Sequence, residues 1–224
     1  MIGQFLPSNA LAVRLIANVS GGLQRALKLK RNIRAIGLIS GDCDDATYIA
    51  LDEATKAANV EVVYAKSLYA GASNASTGLA GEVIGILGGE NPSEVKSGLN
   101  AACAALERLG FRTANEAGDV VYLAHCVSRT GSFLAGLAKI PVGQAVAYLI
   151  APPVEAMVGL DAALKASDVE LAAFFAPPSE TNFAGGLLTG TQSACQSACD
   201  AFARAVEAVA QSPKEIEGGN YGTG

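Results

Sequence analysis

Asp42, Asp44 and Asp45 crowd three carboxylates into four residues at the head of a stretch with helical composition. Two kinds of chemistry suit that pattern. Carboxylates at a helix start accept free backbone N–H groups and meet the positive end of the helix dipole, each contributing roughly 0.3–1 kcal/mol. One is enough for that purpose. Three so close repel one another unless donors or a cation sit nearby, so a spare carboxylate here suits a small ammonium compound. Both readings, capping and cation binding, stay open from the residues alone. Glu82, taken by itself, reads as a strand-end surface residue.

Covalent or acid–base catalysis finds no comparable constellation. His125 is the sole histidine, lies in an apolar strand-like run beside Cys126 and has no evident triad, so a packed core histidine is expected. Tyr64 and Tyr69 stand alone, and no P-loop or dinucleotide fingerprint follows a strand. The five cysteines show neither CxxC nor a disulfide spacing; Cys195 and Cys199, one helical turn apart, read as small packing residues in a reducing compartment. No enzyme activity, metal site or cofactor is expected.

Composition narrows the class further. Half the residues are apolar while only 6% are aromatic and none is Trp, which favours close packing of small and aliphatic side chains. Residues 1–112 carry a net charge of +1 and 113–224 a net −6, so nucleic acid is not an expected partner, and the Lys28, Lys30, Arg31, Arg34 cluster reads as a solvated turn. Residues 140–154 lack charge but are too short and too rich in proline to span a membrane. The start carries no basic n-region or long apolar run, and a cytosolic protein is expected.

The elements that position these residues occur twice. Asp52-Glu-Ala-Thr-Lys-Ala-Ala-Asn-Val-Glu61 returns as Asp161-Ala-Ala-Leu-Lys-Ala-Ser-Asp-Val-Glu170, 109 positions on. Ser93 to Ala101 aligns with Ser193 to Ala201 at an offset of 100, and Val13 to Ser20 with Val121 to Ser128 at 108. Tandem copies of one domain follow, over residues 11–110 and 118–211, with 212–224 as a flexible tail. In the first copy, strands are expected at 13–19, 35–39, 60–64 and 82–87, with Val60, Val62 and Tyr64 alternating on one face. Helices are expected around 23–29, over 44–59 and from Pro92 to a stop at Gly110. Asn91 and Glu94 have the spacing of a capping box. The second copy repeats the order, with strands at 120–127, 145–150, 169–174 and 186–188 and helices at 131–138, 154–167 and 191–210. Adjacent strands without an intervening helix, once per copy, indicate an α+β fold in which helices cover one face of a mainly antiparallel sheet. The stretches 67–78 and 176–183 are paired loops between those strands, read either as ordinary connections or as the lining of a shared opening.

Lys56-Ala-Ala-Asn-Val-Glu-Val, with Asp52 before it, resembles the signature of bacterial microcompartment shell domains, and Lys165-Ala-Ser-Asp-Val-Glu-Leu resembles a second one. Asp42 to Tyr48, Ser67 to Ala72, Ser128 to Ser132, Ala151 to Glu155 and Pro177 to Asn182 are similar to tandem-domain shell proteins of the ethanolamine-utilisation type. The resemblance implies circularly permuted domains and a homotrimer that forms a pseudohexagonal tile with other shell proteins around a cytoplasmic organelle. It implies tile-edge contacts at Lys56 and Lys165. It implies a gated central opening bordered by Tyr69, Ala70, Gly71, Ala72, Ser73 and Asn74 and by Pro178, Ser179, Glu180, Thr181, Asn182 and Phe183. It also implies a small pore that accepts ethanolamine through Asp44 and Glu82, with Asp45 as a neighbouring acid, Phe111 as wall and Thr181 as a polar contact. The competing expectation is a soluble metabolite sensor built from duplicated α+β domains.

Overall fold

The computed structural model describes residues 1–68, 82–177, 179 and 181–216, with Glu82 described by its backbone alone. The expected loop residues 69–74, Pro178, Glu180 and most of the tail lie outside the described residues. The chain divides into two compact units, one of residues 7–110 with 131–134, the other of 1–6, 111–130 and 135 onward.

In the first unit, β2 (Ala10–Ile16), β3 (Ala35–Gly41), β4 (Glu61–Leu68) and β5 (Glu82–Gly89) form an antiparallel sheet in the order β2-β3-β5-β4. Helices α2 (Asp44–Ala57) and α3 (Pro92–Leu106) pack on each other and on that sheet, while the six-residue α1 (Gly21–Ala26) buries no residue. Small residues set the helix–sheet distance: a Cβ on Gly85 would stand 2.5 Å from a Leu51 methyl. Val19, Ile33, Ile36 and Ile86 form a separate apolar cluster.

In the second unit, β1 (Phe5–Pro7), β6 (Gly110–Thr113), β7 (Val121–Val127), β8 (Ala145–Ala151), β9 (Val169–Phe175) and β10 (Ala184–Gly190) build a sheet in the order β1-β6-β7-β8-β10-β9. Helices α5 (Pro153–Ala166) and α6 (Gln192–Gln211) cover it, and α4 (Ser132–Ala138) follows β7. Leu149, Leu160, Phe202 and Val206 interlock there with alanines and with Cys195 and Cys199, so these cysteines are core residues.

The orders β2-β3-β5-β4 and β7-β8-β10-β9 are the same order written twice, as the duplication requires. One alignment changes. Ile16 faces Ile36 across β2 and β3, and Val127 faces Val146 across β7 and β8, so Ile16 corresponds to Val127 and the third sequence block is offset by 111, not 108. Alternating apolar strands look alike when slid, and only hydrogen-bond register fixes them.

Other local expectations are corrected as well. Helix α3 ends at Leu106, and Gly110 opens β6 rather than stopping the helix. Asn91 caps α3 by accepting the Glu94 N–H at 3.0 Å, but the capping box stays open, because the Glu94 carboxylate instead accepts the Asn59 backbone N–H at 2.8 Å. Strand β4 starts after Val60 and its register shifts between Val62 and Tyr64, which breaks the expected alternation. Ser67 and Leu68 belong to β4, not to the following loop. His125 is half-buried on β7, opposite Tyr148, rather than enclosed in a core.

Candidate functional site

The acidic segment is built where β3 hands over to α2. Cys43, extended at φ −140°, is the N-cap, and its Sγ accepts the Ala46 N–H at 3.4 Å. A thiol thus occupies the capping position that the aspartates were candidates for, and the three carboxylates have separate fates. Asp42 accepts the Asn9 backbone N–H at 2.7 Å and the Asn9 Nδ2 at 2.8 Å, so its charge ties down the N-terminal segment. Asp44 and Asp45 stand in the first helical turn, both buried.

Asp44 is only 3% exposed. Burial pushes its carboxyl above the usual range, opposed by the Ser67 hydroxyl, by the backbone N–H groups of Asp45 and of Asp44 itself, and by a hydrogen bond with the Asp45 side chain. That last contact joins two carboxyl groups, a pairing stabilised when they share a proton. Among the described residues Asp44 Oδ1 nevertheless has no hydrogen-bond partner. A buried carboxylate oxygen without a partner is costly, and a donor arriving there recovers that cost. Burial and the charges of Asp45 and Asp44 likewise hold the Cys43 thiol well above its ordinary value.

Ser67 is the residue that sequence reasoning missed. It is buried near the end of β4, accepts the Tyr48 hydroxyl at 2.9 Å and lies opposite Val83 in the β4–β5 register, one step from the Leu68–Glu82 pair. The structure therefore brings Asp44, Asp45, Ser67 and Tyr48 together and places the Glu82 backbone close by. The signal was present in the helical spacing of Asp44 and Tyr48, but the strand partner has no local signature.

Phe111 and Thr181 belong to the second unit. Phe111, fully buried, stacks on Phe183 with ring centroids 5.5 Å apart. Phe183 closes a turn in which the Ser179 N–H donates to its carbonyl at 2.8 Å and Asn182 takes φ +66°. Thr181, also buried, lies 3.2 Å from the Ser179 hydroxyl within that turn. Among the described residues no group of His, Cys, Asp and Glu side chains is arranged to hold a metal ion, and no helix is long and apolar enough to cross a membrane.

The duplicated lysines differ. Lys56 is three-quarters buried and pairs with Glu53 at 2.5 Å and Asp52 at 3.7 Å; Lys165 is largely exposed and pairs with Asp161 at 2.5 Å. The difference originates in the preceding aspartates. Asp52 is fully buried, with Oδ2 accepting the Gly131 N–H at 2.7 Å and Oδ1 the Leu134 N–H at 2.9 Å, so it caps the start of α4. A Cβ on Gly131 would stand 2.3 Å from Thr55 Oγ1 and 2.7 Å from the Asp52 carbonyl oxygen, which explains the glycine. Asp161, its repeat counterpart, is 63% exposed.

The family model of the BMC domain matches residues 35–118. Over 214 residues the chain is 60% identical to the bacterial microcompartment shell protein EutL of Clostridium perfringens (strain 13 / Type A), a match covering 95% of this chain and 99% of that protein. The chain belongs to the bacterial microcompartment shell proteins. This shell protein is also 55% identical over 203 residues to EutL of Escherichia coli (strain K12), across 90% of its own length and 93% of the relative. The crystal structure of ethanolamine utilization protein EutL from Leptotrichia buccalis C-1013-b superposes on it with a TM-score of 0.92 and 58% identity, covering 96% of this chain and 100% of that one. The shell protein is therefore a tandem-domain, α+β member of its family, and its relatives are structural components.

Proposed function

We propose that this shell protein assembles as a homotrimeric, pseudohexagonal tile, packs with other shell proteins, and passes small cationic metabolites of the ethanolamine type without catalysing a reaction. Asp44, Asp45 and Glu82 would hold the ammonium group, with Phe111 as wall and Thr181 as polar contact. The segments 69–74 and 178–183 would border a gated central opening, and Lys56 and Lys165 would lie at tile edges. The EutL relatives are shell proteins, which favours the tile over a sensor.

The observation that carries the ligand reading is Asp44 Oδ1, a buried acceptor with no partner among the described residues, in a cluster whose charge is acidic. An ammonium group supplies both the missing donor and the opposite charge. Crystals soaked in ethanolamine should show the amine against Asp44, and the Asp44→Asn, Glu82→Gln double variant should lose it. Unchanged occupancy in that variant would overturn the assignment.

Duplication supports the trimer. In one repeat the aspartate before the lysine, Asp52, is covered by the start of α4; in the other, Asp161 is open, and α1, the counterpart of α4, has no buried residue. Leu134 is fully buried where its counterpart Leu23 is 38% exposed. Asp161, which pairs only with the exposed Lys165 of its own helix, and α1, which is capped by Ser20 but buries no residue, leave room that a second copy would cover. Such a head-to-tail contact closes into a ring when the rotation between copies permits.

A further inference from the structure

We infer that the turn carrying Arg25, Lys28, Arg31 and Arg34 is a docking surface for an acidic peptide segment of a partner protein. This role is separate from the passage of small amines and uses none of the residues assigned to it.

Residues 1–41 contain six basic side chains and no acidic one, so they carry +6 in a chain of net charge −5, which leaves −11 on residues 42–224. Four of the six, Arg25, Lys28, Arg31 and Arg34, fall between the last turn of α1 and the start of β3, and all four are exposed. Among the described residues none of the four makes an ion pair; only Lys30, between them, finds a carboxylate, that of Glu61. Like charges so close repel one another, and an opposite charge from outside relieves that repulsion.

The duplication supplies an internal control. Lys28 turns the chain after α1 in the left-handed conformation, φ 53°, with the Leu29 N–H donating to the Gln24 carbonyl at 2.9 Å. Lys139 does the same after α4, φ 55°, with the Ile140 N–H donating to the Ala135 carbonyl at 3.1 Å. Further on, the Arg34 carbonyl accepts the Val19 N–H and the Gln144 carbonyl accepts the Thr130 N–H, both at 2.9 Å. The second repeat thus builds the same turn, one residue shorter, with Gly136 in place of Arg25, Pro141 and Val142 in place of Lys30 and Arg31, and Gln144 in place of Arg34. Folding does not require the charges. Complementing the negative end of the α1 dipole would employ Arg25 or Lys28, but not Arg31 and Arg34, which follow the helix.

A trimeric tile leaves this surface open. Where α2 covers the start of α4, the later positions of that turn stay in solvent: a Cβ on Gly136 would meet nothing within 4 Å, Val142 is 66% exposed, and Lys139 and Gln144 are exposed. A second copy that covers the start of α1 in the same way leaves Arg25, Lys28, Arg31 and Arg34 accessible.

The partner's chemistry follows from where the positive charge ends. Cations on four separate positions, sharing no acceptor, suit carboxylates spaced along a chain rather than one compact anion. A nucleic acid duplex, with a charge every ~1.7 Å of axis, would run past the turn into the field of the acidic remainder, whereas a short acidic peptide ends within the turn.

Fluorescein-labelled decaglutamate should be titrated with the full-length chain at about 50 mM salt and followed by anisotropy, beside deca-thymidylate carrying the same dye. Arg25→Gln, Lys28→Gln, Arg31→Gln and Arg34→Gln together should weaken decaglutamate binding at least about tenfold. The same charge removed at the exposed Lys96, Arg108, Arg204 and Lys214 should weaken it less than about twofold, and about 0.5 M salt should abolish it in every chain. In the unaltered chain, where no variant has to fold, bound decaglutamate should shield Lys28 from acetylation, read by mass spectrometry, and leave Lys96 open. Equal losses in the two fourfold variants, or an unshielded Lys28, would overturn the surface. Tighter binding of thymidylate than of decaglutamate would give the turn to nucleic acid and end the peptide reading, and a chain that binds no decaglutamate at low salt would end it as well.

Discussion

Asp52 accepts the backbone N–H of Gly131 at 2.7 Å across 79 positions of sequence, and in doing so draws residues 131–134 into the compact unit formed by residues 7–110. Its carboxylate also takes the Leu134 N–H, while Thr55 Oγ1 takes the Ser132 N–H at 3.1 Å. A helix start with a glycine at the cap position has no side-chain acceptor of its own, so the cap comes from outside.

Removing that cap should be costly. Asp52→Ala leaves two N–H groups without their acceptor, and an unsatisfied buried donor costs ~1–3 kcal/mol. Thermal unfolding followed by circular dichroism at fixed protein concentration should show a lower midpoint. Gly131→Ala, which drives a methyl group into Thr55 and Asp52, should show a comparable loss. The double variant should lose less than the sum, because both changes break one contact.

The exposed counterpart should behave oppositely. Asp161→Ala is expected to leave the thermal midpoint of dilute protein within about 0.5 kcal/mol of the parent, as surface changes generally do. Analytical ultracentrifugation should then reveal weaker self-association. An unchanged trimer population would remove Asp161 from the contact between copies.

Asp44 gives stability a pH dependence of definite sign. Its proton is held to higher pH in the folded chain than in the unfolded one, so between the two midpoints the folded state binds more protons and stability falls as pH rises. Asp44→Asn lacks this ionisation. The melting temperature of the variant minus that of the parent should therefore increase as pH rises from the ordinary carboxylate range through the raised Asp44 midpoint, by ~2–4 °C for each kcal/mol involved. A difference independent of pH would contradict the burial account.

The thiols should be quiet in the folded protein. Burial raises Cys43 and Cys199, and also the half-buried Cys103 and Cys126, away from the thiolate that reacts. Ellman's reagent at pH 8 should react at least ~10-fold more slowly with native protein than with the chain in denaturant, where all five cysteines should titrate.

Sequence by itself determined what is local or repeated. The helical composition after Asp42, the Asn91 cap, and the Asp52/Lys56 and Asp161/Lys165 duplicates were all readable, because side-chain spacing, caps and copied blocks are properties of a few neighbouring residues. It also brought Asp44 and Asp45 into one helical turn. Tertiary structure alone decided where each polar group found its partner. Asp42 went to Asn9, Glu94 turned away from its own helix to Asn59, Tyr48 of α2 found the Ser67 hydroxyl on β4, and the short strands β1 and β6 formed by joining a sheet. Two aspartates with the same local sequence ended in opposite states, Asp52 enclosed and Asp161 open, since burial depends on what the rest of the chain brings to the site and not on the residue's neighbours in sequence.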